Sequence, residues 1–183
     1  MAELGTYQLH PGDSAPEFEL AGVDGKTYRL TDFGNYPILV VAFWCNHCPY
    51  VQAWEGRMID LARRFGPRGV GFVLINSNDA RAYPEDRMDA MVVRAREKGY
   101  PFPYLVDESQ ATAHAYGALV TPHPMVFGPD RRLLFQGRID NDHQHPDRVT
   151  EKYLERALEQ ALAHESVVPS ELTVAGCTVK WKS

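Results

Sequence analysis

The apolar positions of the chain follow two different periods on either side of one short motif. Residues 38–44 (ILVVAFW) form an unbroken apolar run, β-branched at Ile38, Val40 and Val41. Such a run predicts a strand buried on both faces. Cys45-Asn46-His47-Cys48 follows at once. Beyond it, Val51, Trp54, Met58, Leu61 and Phe65 recur three or four residues apart, with Glu55, Arg57, Asp60, Arg63 and Arg64 mostly off that stripe. This spacing predicts an amphipathic helix from about Pro49. Proline is tolerated there because first-turn N–H groups lack helical acceptors.

The same reading extends along the chain. Two strand-like pieces, 18–20 and 28–30, flank Asp24-Gly25, a hairpin signal. After the break at Gly66-Pro67-Arg68-Gly69, residues 70–75 predict a second buried strand. Residues 84–98 predict a helix with Met88, Met91 and Val92 on its apolar side and Gly99 as its stop. A strand over 102–106, a short helix over 110–116 closed by Gly117, and a hairpin of 125–127 with 133–138 follow. Residues 150–164 predict an amphipathic helix with Tyr153, Leu154, Ala157, Leu158, Ala161 and Leu162 inward. The alternation gives an α/β fold, a central mixed sheet with helices on both faces, parallel at first and antiparallel at the end. Residues 1–15 read as an extended lead-in, 11–165 as the folded domain, and 166–183 as a partly extended tail packed on or near it.

Composition narrows the function. A 183-residue chain with 44% hydrophobic and 23% charged residues is an ordinary globular composition, large enough for a substantial core. The net charge of −5 and the lack of a basic block argue against nucleic-acid binding. No apolar stretch approaches a membrane span, and Met1 to His10 lacks the basic and apolar regions of a signal peptide. The expected address is cytoplasmic. Three cysteines do not make a disulfide-rich scaffold. In a reducing compartment a C-x-x-C pair points to redox or metal chemistry.

Placement favours redox chemistry. Cys45 and Cys48 lie at or near a helix N-terminus, where free N–H groups and the helix dipole stabilise a thiolate. His47 as imidazolium adds to that effect. Cys45 is the expected nucleophile on a substrate disulfide, with Cys48 displacing the product and leaving a Cys45–Cys48 disulfide. Zinc needs about four ligands and no second C-x-x-C exists, so no metal and no cofactor is expected. The polar stretch Asp140, Asp142, His143, Gln144 and His145 has a metal-like composition but reads as a solvated loop. Trp44 and Tyr50 flank the motif, with Trp44 the better surface candidate and Trp54 a core residue. Cys177 is a third thiol. It reads as a small apolar residue, or as one able to resolve an oxidised Cys48 or bond a partner. His114 has no assigned role.

The C-x-x-C after a buried strand, with Thr121-Pro122 downstream just before the strand at 125–127, resembles the thioredoxin fold. The N-terminal hairpin and the inserted helix-strand unit at about 78–103 resemble the peroxiredoxin-like redoxins and the membrane-associated thiol-disulfide reductases of cytochrome maturation. The strings FWCNHCPYV, FPYLVDE, AYGALVTP and GCTVKW look like one subgroup of C-x-x-C-bearing redoxins, and the likeness spans about 11–181. The resemblance implies a cis Thr121-Pro122 bond facing the cysteines, with Pro122 packing on the disulfide. Thr121 would then offer its backbone to a substrate peptide added as a strand. His123 has no assigned role but is close enough to the proline to line the site, and Asn46, His47 and Trp44 are the expected tuning residues. The expected potential lies between the about −270 mV of thioredoxin and the about −120 mV of a strongly oxidising relative. Thioredoxins carry a buried aspartate in the central strand that assists proton transfer; here the strand has no acidic residue, and another group such as Glu17, Asp79 or water would have to serve. The expected activity is thiol-disulfide exchange with a protein or small-molecule disulfide and an unidentified dithiol donor. The alternatives are a thiol peroxidase, with Cys48 peroxidatic and Cys45 resolving, and a non-catalytic redox sensor.

Overall fold

The computed structural model describes residues 6–183, so the first part of the expected lead-in lies outside the described residues. The sheet is centred on β3 (Ile38–Phe43), all six residues of which are buried. It pairs in parallel with β4 (Val70–Asn76), in register from Ile38↔Val70 to Phe43↔Ile75, and β4 pairs in parallel with β5 (Tyr104–Val106). On the other side β3 meets β7 (His123–Phe127) antiparallel, and β7 meets β8 (Leu133–Gln136). The hairpin β1 (Glu19–Gly22) and β2 (Thr27–Arg29) adds antiparallel to β5, giving the order β2-β1-β5-β4-β3-β7-β8. This is an α/β thioredoxin-like architecture with a mixed sheet.

Strand alternation divides the core into two layers. Val40, Ala42 and Trp44 pack with Trp54, Met58 and Phe65 of α1 (Pro49–Phe65) and with Leu154 and Leu158 of α4 (Tyr153–Leu162). Leu39, Val41 and Phe43 face the opposite side, against Tyr116 of α3 (Ala111–Tyr116), Phe18 and Phe33. No helix among the described residues is long and apolar enough to cross a membrane.

The structure redraws two expected helices. The segment expected as one helix over 84–98 is a single 3-10 turn, Pro84–Asp86, followed by α2 (Met88–Lys98). Arg87 between them is extended, at φ −66° and ψ 155°. The break turns the Asp86 carboxylate inward, and α2 sends only Met91 fully into the core. The terminal helix begins at Tyr153 rather than 150, because the Asn141 side chain accepts the N–H groups of Thr150 and Glu151 at 3.0 and 3.1 Å.

The tail runs back across the domain. At the β8 edge the Leu172 N–H donates to the Gln136 carbonyl and the Gln136 N–H to the Ser170 carbonyl, each at 3.0 Å, around a parallel bridge of Gln136 with Glu171. A second, two-stranded sheet then forms from β6 (Val120–Thr121) and β9 (Cys177–Thr178), antiparallel, with Thr121 opposite Cys177. Beyond it Lys180 bonds Asn78 and Asp79 through its backbone.

Candidate active site at the start of helix α1

β3 ends at Phe43, and the chain reaches α1 through Trp44-Cys45-Asn46-His47, with Cys48 as the N-cap residue in an extended conformation. Cys48 Sγ therefore faces the unpaired N–H groups of the first turn. Hydrogen bonds from the Cys45 thiol, the Cys177 thiol and the Val51 N–H together outweigh burial and pull Cys48 down to about 5. Its Sγ also lies 3.3 Å from the Thr121 carbonyl oxygen, a contact that suits the thiol form, but the donors, which include the Cys177 backbone N–H, outnumber this one acceptor and favour the anion. Cys45 is pushed strongly the other way by its hydrogen bond to Cys48, by burial and by the charge of Asp86. The two thiols thus favour sharing one proton, with the shift directed down at Cys48 and up at Cys45.

Opposite the motif, the Thr121-Pro122 bond is cis. The Thr121 hydroxyl lies 3.2 Å from Cys45 Sγ. Cys177 Sγ lies 2.8 Å from Cys48 Sγ, with all three cysteines as free thiols. Burial pushes the Cys177 thiol up to about 12, and its bond to Cys48 adds to the rise.

One buried carboxylate fixes the loop between the cysteines. Asp86, 1% exposed, accepts from the Asn46 N–H at 2.7 Å, from Asn76 Nδ2 and Asn78 Nδ2 at 3.1 Å each, and pairs with His47 Nδ1. Asn46 in turn gives its side-chain N–H to the Glu85 carbonyl at 2.8 Å and takes the Tyr104 hydroxyl at 2.8 Å. The His47 ring stacks on Tyr83, with centroids 5.1 Å apart.

A model of the AhpC/TSA family matches residues 11–136, over half of the chain. The chain belongs to the AhpC/TSA family. Within this redoxin family and its thioredoxin-like superfamily, a more distant relative is the thiol-disulfide oxidoreductase ResA of Geobacillus thermodenitrificans. It is 27% identical over 120 residues, covering 66% of this chain and 63% of that protein. The chain thus spans under two thirds of that relative's length. Two solved structures are similar nearly throughout. A hypothetical protein of Sinorhizobium meliloti is 33% identical with a TM-score of 0.91, covering 96% of this chain and 97% of its own. An uncharacterized conserved protein of Geobacillus kaustophilus is 40% identical with a TM-score of 0.89, covering 96% and 94%.

In this redoxin, Cys45, Asn46, His47, Cys48, Thr121 and Pro122 come together as the sequence suggests. Trp44 does not reach the surface: it is fully buried, and its indole N–H donates to the Tyr100 hydroxyl at 3.2 Å. It continues the alternation of Val40 and Ala42 just past the end of β3, with its N–H still on the Ile75 carbonyl at 2.8 Å, so its ring points into the α1 layer. His123 is also fully buried. Its Nδ1 accepts the Leu119 N–H at 3.3 Å and its Nε2 meets Gln136 Oε1 at 3.1 Å, so it braces the strand behind Pro122. Burial holds its pKa down at about 4. Trp54 is core, with its N–H on Asp140 at 2.8 Å. Asp140 also takes Arg57 at 2.6 Å, while the His143 ring packs at a tilt against Tyr50, with centroids 4.2 Å apart, so the polar loop closes over α1 through protein partners.

Two features escaped the sequence. The buried acid near the motif is Asp86, whereas Glu17 is exposed and Asp79 bonds Arg81. Cys45, His47 and Asp86 even bring a sulfur, a nitrogen and an oxygen within 4.8 Å of one another. The Asp86 oxygens, however, are already taken by N–H donors, which makes it an anchor for the loop. Second, the Thr121 strand edge that a substrate peptide was expected to join is occupied by the protein's own Cys177.

Proposed function

We propose that this redoxin is a thiol-disulfide oxidoreductase that cycles between a Cys45/Cys48 dithiol and a Cys45–Cys48 disulfide. The observation that supports it is the placement of both thiols at the start of α1, facing Thr121, with Cys48 stabilised as a thiolate. The Cys48 thiolate attacks one sulfur of a substrate disulfide and expels the other as a thiolate. Cys45, losing its proton to that leaving group, then attacks Cys48 Sγ and releases the second substrate sulfur. The substrate is reduced by two electrons and the protein is oxidised by two. This order of the two cysteines reverses the one expected from the sequence. ResA is a thiol-disulfide oxidoreductase by name, in line with this reading.

The low Cys48 pKa also favours a second reading, peroxide reduction. The Cys48 thiolate would take one peroxide oxygen as sulfenic acid while the O–O bond breaks and the other oxygen leaves as hydroxide, protonated to water; the Cys45 thiol would then condense with the sulfenic acid to the Cys45–Cys48 disulfide, releasing a second water. A redox titration of a Cys177→Ser variant, followed by turnover with an insulin-type disulfide and with hydrogen peroxide, separates the readings. A reversible two-electron transition with disulfide turnover supports the oxidoreductase. Fast peroxide consumption lost in Cys48→Ser makes it a peroxidase, and a reversible transition with negligible turnover makes it a sensor. No reversible transition refutes redox function.

A further inference from the structure

The tail sulfur sits where the proposed cycle has no use for it. Cys177 Sγ is 2.8 Å from Cys48 Sγ, and this placement is built by the backbone. β9 pairs with β6 in a fixed register, Thr121 opposite Cys177 and Val120 opposite Thr178. Gly176 makes the approach possible: a Cβ there would stand 2.2 Å from the Thr121 carbonyl oxygen. Val174 and Val179, each 3% exposed, anchor the strand on both sides. Trp181 stacks on His114 at 4.2 Å, and Gln110 Nε2 holds the Lys180 carbonyl at 2.9 Å. A residue that served only as core filling would be buried, yet Cys177 is the one cysteine solvent reaches, while Cys45 and Cys48 are each 0% exposed.

Resting on the oxidoreductase reading, we propose that Cys177 is the third thiol of the redox centre, that the oxidised protein exchanges between Cys45–Cys48 and Cys48–Cys177 disulfides, and that an external dithiol reduces it at Cys177. In the first step the Cys177 sulfur attacks Cys48 Sγ. The Cys45–Cys48 bond breaks, the Cys48–Cys177 bond forms, and Cys45 receives the electron pair and the proton that Cys177 gives up. No net oxidation occurs. In the second step a thiolate of the dithiol attacks Cys177 Sγ and Cys48 leaves as a thiolate, favoured because a low-pKa thiol is the better leaving group. The second thiol of the donor then displaces Cys177, which takes the proton. The donor ends as a disulfide and the protein as three thiols. Tail and buried pair thereby divide the labour: the pair holds the electrons and the tail exposes them.

The test is to titrate the wild-type protein with diamide, quench with acid, alkylate free thiols and map linked peptides by mass spectrometry. The expected product is a Cys177 peptide bonded to Cys48 with the alkyl group on Cys45. Gly176→Val should lower that share about tenfold, as tethering at the target is lost. Reduction of the oxidised protein by dithiothreitol should slow about tenfold in Cys177→Ser, since access then runs only through the buried pair. Cys177 alkylated throughout the titration, a linked share unmoved by Gly176→Val, or an unchanged reduction rate in Cys177→Ser overturns the relay. A reversible Cys45–Cys48 couple in Cys177→Ser alongside any of these leaves the oxidoreductase standing. Absence of that couple removes the oxidoreductase itself.

Discussion

Asp86 is the residue on which the site geometry most depends, and replacing it tests that directly. Its two oxygens collect four partners: the Asn46 N–H, Asn76 Nδ2, Asn78 Nδ2 and His47 Nδ1. In Asp86→Ala, the Asn46 N–H and the Asn76 and Asn78 side-chain amides lose an acceptor at positions buried from water. A buried donor left unpaired costs about 1–3 kcal/mol, and such losses in one network do not add fully. A net cost of about 4 kcal/mol follows, which in a domain of this size lowers Tm by roughly 8–16 °C. Asp86→Asn keeps the shape but turns one oxygen into a donor. Its best arrangement points the amide nitrogen at His47, whose ring can accept, and sacrifices the Asn78 contact, at about 1–3 kcal/mol. The expected order of stability in urea unfolding of the reduced protein is wild type, then Asp86→Asn, then Asp86→Ala. Because the Asp86 charge helps push the Cys45 thiol up, Cys45 in a Cys48→Ser background should also alkylate faster at fixed pH once that charge is gone. If Asp86→Ala lies within about 0.5 kcal/mol of wild type, the size of an ordinary surface substitution, the carboxylate is not the anchor described here.

Three other outcomes follow from the same structure. The rate of Cys48 alkylation should rise with pH to a plateau with a midpoint near 5, read by mass spectrometry after a short iodoacetamide pulse; a midpoint near the ordinary thiol value of 9 would contradict the thiolate at the N-cap. His123, held near 4 when folded against 6.5 when free, takes up its proton more readily in the unfolded chain between those values. Stability should therefore be fully present above about pH 6.5 and fall by up to about 3 kcal/mol as pH drops toward 4. The slope should flatten in His123→Phe, and an equal slope in both proteins would place the titration elsewhere. Gly117 closes α3 at φ +66°, and a Cβ there would lie 2.7 Å from the Gln8 Cβ. Gly117→Ala should cost about 1–2 kcal/mol for the left-handed backbone, before any cost of moving Gln8, in thermal unfolding; an unchanged Tm would contradict the left-handed conformation at this position.

The sequence by itself determined whatever depends on local pattern. The continuous apolar run of β3 and the three-and-four spacing of α1 placed Cys45 and Cys48 at a strand-helix junction, because burial on both faces and helical periodicity leave signatures along the chain. The hairpins and the α4 stripe were legible for the same reason. Only the tertiary structure decided what reaches the site from a distance. Asp86 lies 39 residues from His47 in sequence, inside a stretch whose polar and apolar spacing looks helical, and its role depends on one extended residue, Arg87. Trp44 sits beside the motif, yet it shares the α1-facing side of Val40 and Ala42, and the helix packed there buries its ring. Cys177 lies 129 residues from Cys48, and its meeting with that sulfur depends on a two-residue strand that only a glycine can bring against Thr121. Local periodicity reports how a segment buries its own surface. Pairings between segments this far apart leave no periodic trace, because they are set by where the sheet, once assembled, leaves an edge to be filled.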